Sequence, residues 1–537
     1  MVERSRRTVL RGGAVAAVTV PVAGAAASWP TPSQAAEAVR GAGFGSVTVG
    51  PDDPRYRSLV LRGYNKRFAS KPEQIRVVAS TEAVVRAVQD AVRDGRRVTV
   101  RSGGHCFEGF VDHPSARMIV DMSAMAAVGY DRHRRAFMVE AGATLGEVYR
   151  RLYLGWGVTV PGGTCPSVGA GGHVCGGGYG ALCRLHGLTV DHLYAVEVVV
   201  VGRSGKVASV VATREPADPN RDLWWAHTGG GGGTFGIVTR YWFRSPDARG
   251  SDPARLLPRP PSTVLKYSVD WPWEQLDRDT FVRLMRNWGE WGERNSAPGT
   301  AAAPLYGEFA LQTKPAGSIG LAGQVAAGGG AERLLDGLVD ALSRGHGARP
   351  ERRSSTLPWL AAATQEAAGN QGPFERRLKM KSAFRRRRFT DAQMAIVHRH
   401  LSAEGAPAFA HMFLNTYGGR VNAVAQDATA MAHRDSIFLV GFLVGWVDPA
   451  EDARSLAWMR GFYGELYSAA GGVPAGEADD GAFINYPDAD LADPRLNTSG
   501  TPWHALYHKT GYARLQQAKR RWDPLDVFHH ALSVRPG

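Results

Sequence analysis

Three glycine-rich runs carry the chemical signal in this sequence. The first is Val100-Arg101-Ser102-Gly103-Gly104-His105-Cys106. The second runs over residues 161–180 and contains Gly163-Thr164-Cys165-Pro166-Ser167-Val168-Gly169, then Gly171-Gly172-His173 and Gly176-Gly177-Gly178. The third is Thr228 followed by Gly229 to Gly233, then Thr234-Phe235-Gly236-Ile237-Val238. Backbone without side chains presents successive N–H groups to an anion, so these runs suit the phosphate oxygens of a pyrophosphate-bearing cofactor. None has the Gly-x-Gly-x-x-Gly spacing with an acidic residue about 20 positions on, and none has Gly-Lys-Ser/Thr, so a Rossmann site and a Walker loop are both excluded. Cys106, Cys165, Cys175 and Cys183 all fall in or beside the runs without zinc spacing, which points to a cofactor role for at least one of them.

The elements that must hold these loops are legible in part. Ser80 or Thr81 caps a predicted helix through Asp94 that Gly95 ends. Residues 97–100 read as a strand feeding the first loop, and residues 118–120, 137–140 and 195–201 as further strands. Residues 144–154 read as a short amphipathic helix. After the proline-rich stretch Pro258-Arg259-Pro260-Pro261 the pattern changes. Strand-like runs at 264–269, 309–313, 409–415 and 437–446 alternate with helices near 280–294 and 332–342, which predicts an antiparallel sheet backed by helices. The overall expectation is an α+β chain with a cofactor domain over 51–250, a substrate domain over 255–475, and a segment over 480–537 that returns to the first domain.

The chain has 537 residues, enough for two cores. The net charge of +14 is carried by scattered residues. The compact run Arg385-Arg386-Arg387-Arg388 lacks interleaved aromatics, so nucleic acid is not an expected partner. Arg6-Arg7 before a weakly apolar stretch over 12–27 reads as a twin-arginine signal over residues 1–36, with export of a folded protein. No later segment reads as membrane-spanning, and no metal site is expected.

With the loops in place, the sequence resembles the berberine-bridge-enzyme-like branch of the vanillyl-alcohol-oxidase flavoproteins, most closely the bacterial oxidases that tailor antibiotics. The stretches 101–110, 161–180, 222–240 and 484–503 carry the resemblance. It implies a two-part FAD-binding domain of that type and FAD bonded twice, to His105 at the flavin 8α-methyl and to Cys165 at C6. Further cofactor contacts are implied at Arg101, Ser102, Gly103, Gly104, Thr164, Val168, Gly169, Gly172, His173, Gly178, Gly236 and Val238. Cys175 is read as a small buried thiol near the ring. The segment Asn485-Tyr486-Pro487-Asp488 matches the family's catalytic tyrosine, making Tyr486 the expected base. The resemblance also places Tyr417 at the substrate face, as a second catalytic residue that assists as a phenol or contacts the substrate, and Lys381 beside the ring. Valine at 168 accompanies oxygen as acceptor in the family, and Gly511 departs from a family asparagine near the flavin. The expected partners are a small hydroxylated substrate and O2, and the expected reaction is oxidation of an alcohol or sugar hydroxyl. Oxidative ring closure on the same flavin and a flavin carrier without turnover are the alternatives.

Overall fold

The architecture is taken from a computed structural model, which describes residues 45–326, 328–365 and 375–537. The expected leader at 1–36 lies outside the described residues. Three sheets organise the chain. The first contains β1 (Val47–Val49), β2 (Gln74–Val77), β3 (Val98–Arg101) and β4 (Met118–Asp121) in the order β1-β2-β4-β3. β2 and β3 run parallel to β4, and β1 closes the edge antiparallel. β2 and β3 flank β4 and run the same way, so the chain needs a crossover between them, which helix α1 (Thr81–Arg93) supplies. The Ser80 side chain accepts from the Ala83 N–H at its start, and Ala83, Val84, Ala87, Val88 and Ala91 form its buried stripe.

The second sheet is antiparallel, with β5 (Val128–Asp131), β6 (Ala136–Glu140), β7 (Leu193–Val201), β8 (Val207–Thr213) and β9 (Ile237–Phe243) in the order β5-β6-β9-β7-β8. Helix α2 (Leu145–Trp156) follows β6, capped by Thr144 onto the Glu147 N–H. The buried Val-rich run of β7 sits at the centre of the apolar cluster shared by these two sheets.

The third sheet has seven antiparallel strands: β10 (Thr263–Pro272), β11 (Leu305–Gln312), β12 (Ser318–Val325), β13 (Glu351–Pro358), β14 (Arg377–Arg385), β15 (Ala410–Thr416) and β16 (Phe438–Trp446). Their order is β13-β10-β12-β11-β15-β16-β14. Helices α3 (Arg278–Asn295), α4 (Ala331–Leu342), α5 (Asp391–Ser402) and α6 (Asp452–Leu466) supply apolar side chains to one face. Val269, Phe309, Leu311, Met412, Leu414, Val440 and Phe442 meet Leu284, Trp288, Leu335, Val397 and Phe462 there in a second core. Because strand side chains alternate, the other face is free to line a cavity. The sheet backed by helices is as predicted, but β12, β13, β14, α5 and α6 were not. β13 is exposed along nearly all its length and begins with the charged run Glu351-Arg352-Arg353, as a solvated edge strand can be. Helix α7 (Tyr512–Trp522) belongs to the C-terminal segment and packs on the first core through Leu515 and Ala518. No helix among the described residues is long and apolar enough to cross a membrane.

Candidate active site

The three glycine loops converge on one cavity of about 420 Å³, a size typical of sites for small molecules. β3 delivers the first loop directly: Arg101 is its last residue, and Ser102 to His105 follow along the cavity wall. The first and second loops touch through bare backbone. A Cβ on Gly103 would lie 2.3 Å from the Gly169 nitrogen, and one on Gly169 would lie 2.2 Å from the Gly103 nitrogen, so only glycine fits at either position. Ser102 Oγ donates to the Ala141 carbonyl at 2.6 Å and fixes the pair against β6.

Other glycines face open space. Gly172 is exposed within the cavity, and a Cβ there would meet nothing within 4 Å. Gly232 and Gly233 are nearly as open, with nearest atoms at 3.8 and 3.6 Å. Arg101 is buried on the same wall. Its Nε pairs with Asp121 at 3.1 Å and its Nη1 lies 3.6 Å from Asp112, while neither Nη atom has a hydrogen-bond partner among the described residues. Bare backbone facing space beside a guanidinium with unused donors is what a bound pyrophosphate requires. The residues present therefore fit a dinucleotide cofactor.

His105 and Cys165 both open into this cavity. The His105 ring stacks on Tyr64 with centroids 4.9 Å apart, and burial pulls its pKa down to about 4, so the imidazole is neutral at pH 7. Cys165 Sγ lies 3.3 Å from Ser167 Oγ. Cys175 lines the cavity too, but its thiol sits 3.1 Å from Tyr241 Oη and burial pushes it up to about 11, which leaves it inert. Its burial is as expected. His173 Nε2 accepts the Gly163 N–H at 3.1 Å, and Asn485 donates to the His173 carbonyl at 2.9 Å, tying the second loop to the C-terminal segment.

Tyr486 stands in a cage of edge-on rings from Phe107, Phe413 and Phe483, at 5.9, 6.0 and 5.2 Å. Burial, then the charges of Glu308 and Cys165, raise its pKa. The free face of the seven-stranded sheet forms the opposite wall, through Tyr306, Glu308, Met380, Phe413, Asn415 and Leu443.

Most expected cofactor contacts line the cavity: Arg101 to His105, Thr164, Cys165, Val168, Gly169, Gly172, His173, Gly236 and Val238. Four placements differ from expectation. Gly178 does not line it; its φ of +70° and its packing on Thr189 and His173 make it a support for the loop. Tyr417 is fully buried off the cavity and donates to the His433 carbonyl at 3.0 Å; Tyr179, 5.2 Å from it, lines the wall instead. Lys381 points away from the cavity because Met380, its neighbour on β14, points in. Gly511 packs beside Trp225 and is not part of the cavity wall. Glu308, Tyr306 and Tyr64 were not anticipated. Alternation along β11 would have exposed the first two had the strand been read from Leu305 rather than from 309.

Comparison with known proteins agrees with this site. A family model described as FAD binding domain matches residues 72–210, and one described as berberine and berberine like matches 482–535. The chain is 51% identical over 527 residues to aclacinomycin-N/aclacinomycin-A oxidase of Streptomyces galilaeus, covering 98% of this chain and 96% of that protein. It is 31% identical to hexose oxidase of Chondrus crispus, covering 90% of this chain and 93% of that protein. The crystal structure of a glycopeptide hexose oxidase complexed with teicoplanin superposes with a TM-score of 0.88 at 47% identity, covering 92% of this chain and 99% of that one. The chain belongs to the berberine-bridge-enzyme-like family of FAD-dependent oxidoreductases.

Proposed function

We propose that the protein holds FAD through His105 and Cys165 and oxidises a hydroxyl of a sugar, free or attached to a natural product, with oxygen as acceptor. The observation that carries this reading is the opening of His105, Cys165 and Tyr486 into one cavity between three glycine loops and a sheet face. Relatives named as oxidases of aclacinomycins and of hexose support the substrate class. When bound, FAD supplies the two-electron sink for the hydride of the carbinol carbon. The chain does the rest. Neutral His105 has an unprotonated ring nitrogen at working pH. Phe107, Phe413 and Phe483 fix the Tyr486 ring so that its hydroxyl meets a substrate oxygen in one orientation. Val168, the residue type that accompanies oxygen as acceptor in the family, lines the same cavity.

The test is protein expressed without its leader, weighed intact before and after denaturation. A mass increment of one FAD that survives unfolding, with yellow colour on the polypeptide, is the expected result. Peroxide release is then measured on mono- and oligosaccharides. A colourless unfolded chain of bare polypeptide mass rejects the covalent link, and failure of every hydroxylated substrate to bleach the flavin rejects the oxidase reading. We also propose export by the twin-arginine leader; an Arg6→Lys/Arg7→Lys variant is expected to stay inside the cell, and equal secretion of variant and parent overturns export by that route.

A further inference from the structure

The cavity wall opposite the glycine loops carries a single carboxylate. Glu308 is the one Asp or Glu among the described residues lining the cavity, and Tyr306, Asn415, Phe413, Met380 and Leu443 surround it on the sheet face. Arg101, the one Lys or Arg among them, is paired with Asp121 and Asp112. Burial depresses the lining histidines His105 and His173 to about 4 and His530 to about 3, and His529 Nδ1 sits 2.7 Å from the Asp526 carbonyl. The cation that acts on Glu308 is Lys266 on β10, which lies beyond the intervening strand β12, and no Lys or Arg among the described residues forms an ion pair with it.

The carboxylate is nevertheless held in place. Glu308 is directly opposite Asn415 in the β11–β15 register. Tyr306 Oη donates to Asn415 Oδ1 at 2.9 Å, which leaves the Asn415 amide N–H2 to donate to the Glu308 carboxylate. Side chains two residues apart share a strand face, so Tyr306 on β11 and Phe413 on β15 stand beside Glu308. The Tyr486 ring lies 6.0 Å beyond Phe413. Burial raises the Glu308 carboxyl above the usual carboxylate range, against the pull of Asn415 and of Lys266. A buried carboxylate without an ion-pair partner is costly, and one that opens into a cavity can take its partner from the ligand. Neighbouring aromatic rings favour an organic cation, which the ring quadrupole attracts. A neutral polyol suits this wall less well, because Met380, Phe413 and Leu443 offer its hydroxyls no hydrogen-bond partner.

We propose that the substrate carries a protonated amine and that Glu308 selects it, with the rings of Tyr306 and Phe413 beside the ammonium group. The proposal rests on the hydroxyl-oxidation reading above and names a substrate class within it: a hydroxylated amino sugar, free or as a glycoside. The contact has a second consequence. The Glu308 charge holds the proton on Tyr486, the phenol expected to act as base. An ammonium ion that offsets this charge eases ionisation of the phenol, so the amine binds the substrate and readies the base through one contact.

The test uses the flavin-loaded enzyme at pH 7 with methyl glucoside, the isomeric methyl amino-deoxyglucosides and their N-acetyl derivatives as probes. Flavin difference absorbance reads Kd without turnover, and anaerobic mixing reads the rate of flavin reduction. At least one amine is expected to bind roughly 10–100-fold more tightly than methyl glucoside and than its own N-acetyl derivative, the range of a hydrogen bond to a charged group. E308Q is expected to shrink that preference to within about threefold, whereas E308D, which keeps the charge, retains most of it. Flavin reduction at saturating amine is expected to outpace reduction at saturating methyl glucoside in the parent, and to lose that lead in E308Q. Equal binding of the amines and their N-acetyl derivatives by the parent overturns the proposal without recourse to any variant. An amine preference that survives in E308Q overturns it as well. If no hydroxylated compound, charged or neutral, bleaches the parent's flavin, the oxidation reading fails, and the Kd comparison still decides whether Glu308 selects an amine.

Discussion

Gly172 and Gly178 lie in the same loop, yet a side chain would act differently at each. At Gly172 it would project into empty cavity, whereas at Gly178 it would strain a φ of +70° and drive a Cβ to 2.4 Å from Thr189 Oγ1. Gly172→Val is therefore expected to melt within a few degrees of the parent while losing bound flavin, and Gly178→Val to lose stability by about 1–3 kcal/mol or more from backbone strain alone. Thermal melts paired with flavin absorbance check both; a Gly172→Val protein with full flavin would refute the placement of the cofactor against that backbone. The cavity thiols Cys165 and Cys175 separate in the same way. Cys165→Ala is expected to keep FAD on the denatured chain through His105 alone, with an altered visible spectrum. Cys175→Ala is expected to keep both links, since its thiol is occupied with Tyr241 Oη. Glycine density announced a phosphate cradle in the sequence. Which glycine faces ligand and which faces protein depends on loops packed against each other, as Gly103 is on Gly169, and no linear pattern records that.

At the scale of elements, β14 does something its sequence conceals. Its run Arg-Leu-Lys-Met-Lys-Ser alternates charged or polar with apolar residues, yet Lys379 and Lys381 are buried. Lys379 Nζ lies 2.7 Å from Glu108 and 2.6 Å from Asp488, and Lys381 Nζ lies 2.6 Å from Asp488 and 3.0 Å from Asp490. Glu108 follows the His105 loop and Asp488 follows Tyr486, so this strand clamps the two loops that carry the site. The surrounding carboxylates hold the Lys379 ammonium above its usual pKa despite its burial. Lys379→Met removes the shared cation. Because Arg67 and Lys381 still neutralise part of the charge, the expected loss is about 3 kcal/mol, the low end for a broken buried pair. Urea denaturation measures it, and adding Glu108→Gln in the same chain is expected to restore part of the loss. An unchanged midpoint in the single variant would show the cluster to be electrostatically neutral. The α1 crossover, the Thr144-capped helix and the β7 run were legible because caps and apolar periodicity are local signals. β13, β14 and the first half of β11 were not, since partners distant in the chain decide what their polar side chains touch.

For the whole molecule, the C-terminal segment closes the fold onto the glycine loops, and it does so with groups sensitive to acid. Lys519 Nζ donates to the Thr234 and Phe528 carbonyls, both at 2.7 Å, and His530 contacts Gly232. His227, His508 and His530 are buried, and burial depresses their pKa values to about 4, 3 and 3. An unfolded histidine titrates near 6.5. Above that pH both states are neutral and these residues add no pH dependence. As pH falls below about 6.5 the unfolded chain takes up protons that the folded chain refuses, so stability declines until the folded values are reached. Each histidine contributes a slope of about 1.4 kcal/mol per pH unit, roughly 4 for the three together. Set against a total stability on the order of 5–15 kcal/mol, that slope exhausts the fold within a few units of pH 6.5. Urea midpoints taken from pH 7 to pH 4 are thus expected to fall steeply while those above pH 7 stay level. His508 is the discriminating site, because neither ring nitrogen has a hydrogen-bond partner among the described residues. His508→Leu is expected to flatten the acid slope by about 1.4 kcal/mol per pH unit without lowering stability at pH 7.5. If the variant follows the parent's acid slope, acid loss of the fold originates instead in carboxylates such as Asp121, whose lowered pKa confines its contribution to more acidic solutions.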